Sequence, residues 1–326
     1  MRRKAADDVA ANPRLAKKMS TIKYLTFLNE HIDDLSSKVI AITGANSGIG
    51  FYAARSLAYK GAHIVMACRS KQRAEEARLA ILDANPDAIV DILLLDQASL
   101  TSIEQFTISL KEKYSQIDAF VFNAGIFHPA KDAVTKEGFP LTVGTNYLGT
   151  YYLMELLRPY FETMPSINVV CVGSLVNRRY QIQNLEQYFA SKKMTLYRQY
   201  ALSKKFMMAN HYSFMAKKDS NVHYSMMHPG VASTNIVSGT SNSFPRWFSK
   251  VARNFMTAFM NHPEKSALGI VLLAARDNTH GQYVLPRGLF EISGYPTLRK
   301  VTKKIANNAD SVHEKTRLFF NKIGKL

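Results

Sequence analysis

A short, continuously apolar run, Val39-Ile40-Ala41-Ile42, leads directly into Thr43-Gly44-Ala45-Asn46-Ser47-Gly48-Ile49-Gly50, after which Ala53, Ala54, Leu57 and Ala58 recur at helical spacing. An unbroken apolar run of that length reads as a strand buried on both faces of a parallel sheet. Strand, glycine-rich turn and helix in succession build a phosphate cradle. Glycine lets backbone N–H groups approach a pyrophosphate with no Cβ in the way, and the helix presents its positive end to the charge. The spacing is G-x-x-x-G-x-G and departs from the G-x-G-x-x-G fingerprint of dinucleotide folds, so a tight turn without a ligand stays open.

The remaining chain repeats the alternation. Ala62 to Cys68 reads as a second buried strand ending at Arg69, where an arginine suits a 2′-phosphate and an acid would suit a ribose hydroxyl. A helix over 70–84, a strand over Ile89–Leu95 closed by Asp96, and a helix over Leu100–Tyr114 follow. Ile117 to Phe122 reads as strand four and ends in Asn123-Ala124-Gly125, where small residues let the backbone pass beneath a flat ligand. Gly138 to Phe161 is helical in pattern and carries Asn146. Ile167 to Val172 precedes Gly173-Ser174, Val222 to Met227 precedes His228-Pro229-Gly230, residues 263–276 read as helix, and Gly281 to Leu285 as a last short strand. The expected fold is α/β, a Rossmann-like doubly wound parallel sheet of about seven strands flanked by helices, with ligands at the carboxyl ends of the strands.

Composition narrows the class. With 326 residues and 47% hydrophobic content the chain can bury a large core, and its net charge of +17 admits anionic lipid, nucleic acid or an anionic small ligand. The two cysteines, Cys68 and Cys171, lie inside apolar runs and fit a reducing compartment rather than a disulfide framework. No secretory h-region and no apolar run of the roughly eighteen residues needed to span a membrane is present, so a cytoplasmic location is expected. There is no zinc pattern or interleaved aromatic platform, so neither a metal nor a nucleic acid is expected. Residues 1–36 read as a basic extension outside the main fold with a helix from Pro13 to His31. Residues 37–295 read as one nucleotide-binding domain, and 296–326 as a basic helical extension.

Taken in order, Thr43 to Gly50, Ala67-Cys68-Arg69-Ser70, Asp96, Asn123-Ala124-Gly125, Asn146-Tyr147-Leu148-Gly149, Ser174, a Tyr-x-x-Ser-Lys and His228-Pro229-Gly230 resemble the short-chain dehydrogenase/reductase family over about residues 38 to 290. The likeness is greatest to its retinol dehydrogenase and WW-domain oxidoreductase branch. The resemblance implies a cofactor set of Thr43, Gly44, Asn46, Ser47, Gly48, Ile49, Gly50, Arg69, Asp96, Asn123, Ala124, Gly125, Pro229, Gly230, Val231 and Thr234. NADP is expected over NAD, with Arg69 at the 2′-phosphate and Asp96 near the adenine. It further implies a catalytic tetrad of Asn146, Ser174, a tyrosine and a lysine, the last two also touching the cofactor. Two positions depart from many members, Phe122 where a second asparagine is usual and Gly173 where a serine precedes the catalytic one.

The tyrosine must be chosen, because the pattern occurs twice, at Tyr188 to Lys192 and at Tyr200 to Lys204. Residues four apart on a helix share a face, so either copy sets a phenol beside an ammonium, and a nearby cation favours phenolate. The distance upstream to Ser174 suits either. Downstream, the 28 residues from Tyr200 to His228 hold a helix to about Lys218 and then a strand, whereas starting from Tyr188 demands a helix longer than globular proteins usually have. The expectation is therefore Tyr200 and Lys204. Tyr200 would exchange a proton with the oxygen of a hydrophobic alcohol, ketone or aldehyde, Lys204 would lower the phenol's pKa and hold the nicotinamide ribose, Ser174 would steady the substrate oxygen, and Asn146 would support a water relaying protons to Lys204. Rival readings are a dinucleotide-binding sensor without turnover and a basic nucleic-acid or membrane-surface protein. Residues 234–262 read as a lid, within which 246–260 form a basic amphipathic stretch suited to covering the cleft or touching a membrane. The oligomeric state is open, a homo-oligomer included.

Overall fold

The computed structural model describes residues 23–127, 129–130, 132–175, 194–216, 221–230, 262–288, 291–301 and 303–326. Its centre is an eight-stranded sheet of order β3-β2-β1-β4-β5-β6-β7-β8. The strands are β1 (Val39–Thr43), β2 (His63–Cys68), β3 (Val90–Leu94), β4 (Ala119–Phe122), β5 (Ile167–Val172), β6 (Val222–Met227), β7 (Tyr283–Pro286) and β8 (Pro296–Arg299). The first seven run parallel and β8 is antiparallel to β7. The chain works outward from β1 to β3 and then crosses to β4 on the other side of β1. A crevice therefore opens beyond the carboxyl ends of β1 and β4, where helices depart to opposite faces.

On one face lie α1 (23–31), α2 (Gly48–Tyr59), α3 (Lys71–Ala84) and α7 (Pro263–Ala275). The alanines at 53, 54 and 58 are fully buried and leave so little side chain that α2 can lie close on the sheet and on α7. Residues 1–36 read as lying outside the main fold, yet Tyr24 and Leu28, four apart on one face of α1, are buried in this same core together with Ile32 and Leu35 just beyond the helix.

The other face carries α4 (Leu100–Lys113), α5 (Gly149–Phe161), α6 (Leu196–Met215), the short α8 (Lys303–Ala306) and α9 (Ala309–Lys322). A helical turn, Leu141–Val143, passes through a π-helical turn, Gly144–Leu148, into α5. The tail from Pro296 reads as helix throughout, but Pro296–Arg299 adds an eighth strand along the open edge of β7, a place where proline is tolerated. The tail's last helix is docked. Phe320 is fully buried with its ring 5.4 Å from that of Tyr151 and 5.3 Å from that of Tyr152, while Thr316 Oγ1 hydrogen-bonds Tyr147 Oη at 2.5 Å. Among the described residues no helix is long and apolar enough to cross a membrane.

Candidate active site

The ends of β1 and β4 are stitched together by two side chains. Thr43 Oγ1 donates to the Val121 carbonyl at 3.3 Å and accepts the backbone N–H groups of Asn123 and Ala124 at 3.0 and 2.9 Å. Asn123 Nδ2 returns a bond to the Thr43 carbonyl at 2.8 Å. The glycine turn wraps over this stitch. Gly44 and Gly48 have φ of +67° and +56°, the left-handed region that glycine adopts without strain. A Cβ on Gly50 would stand 2.4 Å from Asn123 Nδ2 and 2.7 Å from the Gly44 carbonyl. At the start of α2, Ser47 is extended and its side chain makes no capping bond, so the first amides of the helix face the cleft without a side-chain acceptor from Ser47.

A cleft of about 270 Å³ follows, lined by Gly44, Asn46, Ser47, Gly48, Ile49 and Gly50 from this turn, Arg69 from the end of β2, Asp96 from the end of β3, Asn123, Ala124 and Gly125 after β4, and Tyr200, Lys204 and Pro229. Thr43 and Asn146 are fully buried behind its wall. Gly230 adjoins Pro229, and Ser174 hydrogen-bonds Tyr200, which lines the cleft. Val231, Thr234, the 246–260 stretch and the Tyr188 to Lys192 copy lie outside the described residues.

Asn146 sits in the π-helical turn and is engaged by the Ile126 backbone and the Ser203 side chain. Its Oδ1 accepts from Ile126 N–H at 2.7 Å, and its Nδ2 donates to the Ile126 carbonyl at 2.8 Å and to Ser203 Oγ at 3.2 Å. The loop after β4 is thereby pinned against α6. Between them lies Gly125, where a Cβ would come within 3.1 Å of Lys204 Nζ and 3.4 Å of Asn146 Oδ1. A side chain there would crowd the point at which those two converge.

Lys204 is 4% exposed and donates from Nζ to the Val172 carbonyl at 3.0 Å. Burial pulls its pKa down to about 8, against a small opposing effect of the Cys171 thiol. Tyr200 lies one turn earlier on α6 and is half-buried, with the ring of Phe127 edge-on at 4.7 Å and 69°. Burial raises its pKa and the hydrogen bond from Ser174 counters the rise. Lowering of the phenol by Lys204, which the sequence suggests, is not what this geometry produces. The ammonium is engaged by Val172, so desolvation of the phenolate dominates.

Sequence reasoning missed Arg73, which lines the cleft from the first turn of α3 beside Arg69. Both guanidinium groups are exposed, and neither forms an ion pair among the described residues. The available signal was positional: α3 starts immediately after Arg69, so its first turn rises beside the same strand end. Gln97 and Thr145 also line the cleft and had no sequence signature. Convergent backbone amides, two cations and positions closed to any Cβ fit an extended anionic ligand with a flat end.

The family model for short chain dehydrogenases matches residues 38–243. The WW domain-containing oxidoreductase of Gallus gallus is 40% identical over 151 residues, 46% of this chain and 36% of that protein. Dehydrogenase/reductase SDR family member 13 of Bos taurus is 36% identical over 145 residues, 44% of this chain and 38% of that protein. The matched stretch thus spans little more than a third of these curated relatives. Levodione reductase shares the fold, with a TM-score of 0.62 at 21% identity over 76% of this chain and 93% of its own. An uncharacterized protein from Mycobacterium paratuberculosis does so at a TM-score of 0.67 and 24% identity, over 87% and 95%.

Proposed function

The chain belongs to the short chain dehydrogenase family, and from that premise we propose that it is an NADP-preferring oxidoreductase interconverting a hydrophobic alcohol and its ketone or aldehyde. The observation that carries the reading is that Tyr200, which Ser174 hydrogen-bonds, and Lys204 line the same cleft as the glycine turn and two arginines without an ion pair among the described residues. Gly44, Gly48, Gly50 and the first amides of α2 would hold the pyrophosphate, Arg69 and Arg73 the 2′-phosphate, and Asp96 the neighbourhood of the adenine. When bound, the nicotinamide supplies or accepts the hydride.

The chain's own residues would do the rest. The Tyr200 hydroxyl passes a proton to or from the substrate oxygen, and Ser174 donates to that oxygen as charge gathers on it. The hydrogen bond between these two hydroxyls would direct both toward the same substrate oxygen. The Lys204 ammonium, bonded to the Val172 carbonyl, would turn its charge toward the ribose and phenol when they fill the cleft. Asn146 keeps Ile126 and the Gly125 gap in place, so that Lys204 has one path to the cleft. Phe127 gives the substrate side an apolar wall. A small apolar substrate and a cytoplasmic setting complete the reading, and residues 234–262 remain its proposed lid.

The test is oxidation of NADPH and NADH with a panel of hydrophobic ketones and aldehydes, comparing wild type with Tyr200→Phe and Tyr188→Phe. Tyr200→Phe is expected to lose turnover by about a thousandfold or more while still binding NADPH. Loss in Tyr188→Phe alone would overturn the choice of tyrosine. NADPH binding without turnover across the panel would favour a sensor.

A further inference from the structure

Pro229 lines the cleft and Gly230 begins the segment that leads away from it. Two elements distant in sequence hold this turn. Ser266 of α7 donates from Oγ to the Pro229 carbonyl at 3.0 Å. Ile292 presses on it from the other side, so closely that a Cβ on Gly230, which has φ +75°, would lie 2.2 Å from the Ile292 carbonyl oxygen. The turn also closes on itself, since the Gly230 amide donates to Nδ1 of the buried His228 ring at 3.1 Å.

That last bond dictates the imidazole's state. With Nδ1 accepting, the neutral ring carries its hydrogen on Nε2, and Nε2 faces Glu291 Oε2 at 3.0 Å. A carboxylate accepting from Nε2–H fixes the tautomer and the ring plane together, and such a charge-assisted bond is stronger than a neutral one. Glu291 has φ +59°, in the left-handed region where a long L side chain is strained and glycine is the ordinary choice. Its backbone N–H donates to the Gly288 carbonyl at 3.0 Å, a bond glycine would make equally well. Strain of this kind persists where the surroundings use the side chain. Here the side chain's use is the His228 ring.

We propose that Glu291 is a positioning residue of the cofactor site: acting through His228, it holds the Gly230 amide, and with it the Pro229 wall, in the arrangement the dinucleotide meets. The value of this for binding rests on the cofactor reading above. The hydrogen-bond chain itself does not.

The experiment compares the full chain with Glu291→Gly and Glu291→Gln by peptide-level hydrogen exchange over the Gly230 turn, ¹⁵N-histidine NMR of the His228 tautomer, melting temperature, and NADPH titration by fluorescence. Glu291→Gly removes the backbone strain, so its melting temperature is expected to equal or exceed that of wild type. The Gly230 amide should nonetheless exchange about tenfold faster, the Nε2–H tautomer should give way to a mixture, and the Kd for NADPH should rise about fivefold. Glu291→Gln keeps an acceptor and should restore all three to within about twofold. Unchanged exchange and tautomer in Glu291→Gly, or no restoration by Glu291→Gln, overturns the proposal. Wild type that binds no NADPH would sink the cofactor reading instead, with the exchange and tautomer measurements still deciding what Glu291 does.

Discussion

Replacing Lys204 by methionine should make the folded protein more stable while abolishing turnover. The ammonium is 4% exposed, and burial carries its pKa from 10.5 to about 8. At about 1.4 kcal/mol per pH unit, that displacement corresponds to about 3 kcal/mol of cost for holding the charge in the folded state near neutral pH. Methionine fills nearly the same volume without the charge. It forfeits the bond to the Val172 carbonyl, which costs about 1 kcal/mol, so a net gain of about 2 kcal/mol is expected. The sign with pH is fixed by linkage. Between about pH 8 and pH 10.5 the unfolded lysine holds its proton while the folded one has released it, so wild-type stability rises with pH across that window from this group. Below about pH 8 both states are protonated and the contribution is flat. Urea unfolding of wild type and Lys204→Met at about pH 7 and about pH 10, alongside NADPH turnover, measures both effects. A Lys204→Met protein less stable than wild type at about pH 7, or a gap between the two that fails to narrow toward about pH 10, would refute the reasoning.

Two other changes probe the cleft. Arg69→Ala and Arg73→Ala should each raise the Kd for NADPH about tenfold at low salt and leave NADH within about twofold, as fluorescence titration of both cofactors would read, because only the 2′-phosphate distinguishes them. Equal weakening of the two would remove the arginines from that role. Gly173→Ser installs the serine common in the family, but its Cβ would stand 2.3 Å from Sδ of the buried Met208, so it should destabilise by about 1–3 kcal/mol in urea unfolding. Pairing it with Met208→Ala should cost at least about 1 kcal/mol less than the two single changes together, and simple additivity would show that Met208 does not occupy the serine's place.

Much of this site can be read along the chain because its signals are local. A strand buried on both faces must be apolar without interruption, a turn at positive φ must be glycine, and residues four apart on a helix must share a face, so Val39 to Gly50 and Tyr200 to Lys204 declare themselves within a dozen residues. Spacing to His228 then ties the second tyrosine copy to α6, which runs from Leu196 to Met215. The other features depend on who meets whom. Helical periodicity looks the same in a solvated tail and in α9, and only the aromatic pocket of Tyr151 and Tyr152 makes Phe320 a core residue. Pro296 suits the start of a helix as well as an edge strand, and the open side of β7 decides for the strand. The charge on Lys204 is written in the sequence, whereas its depressed pKa comes from β5 and α6 closing around it, since desolvation is a property of the surrounding volume. Likewise the sequence by itself determined the parallel sheet, the glycine turn after β1 and the spacing that sets Tyr200 and Lys204 on one helix. Tertiary structure alone joined Glu291 to His228 across 63 positions of chain, because a hydrogen bond is selected by distance in space and leaves no periodicity behind.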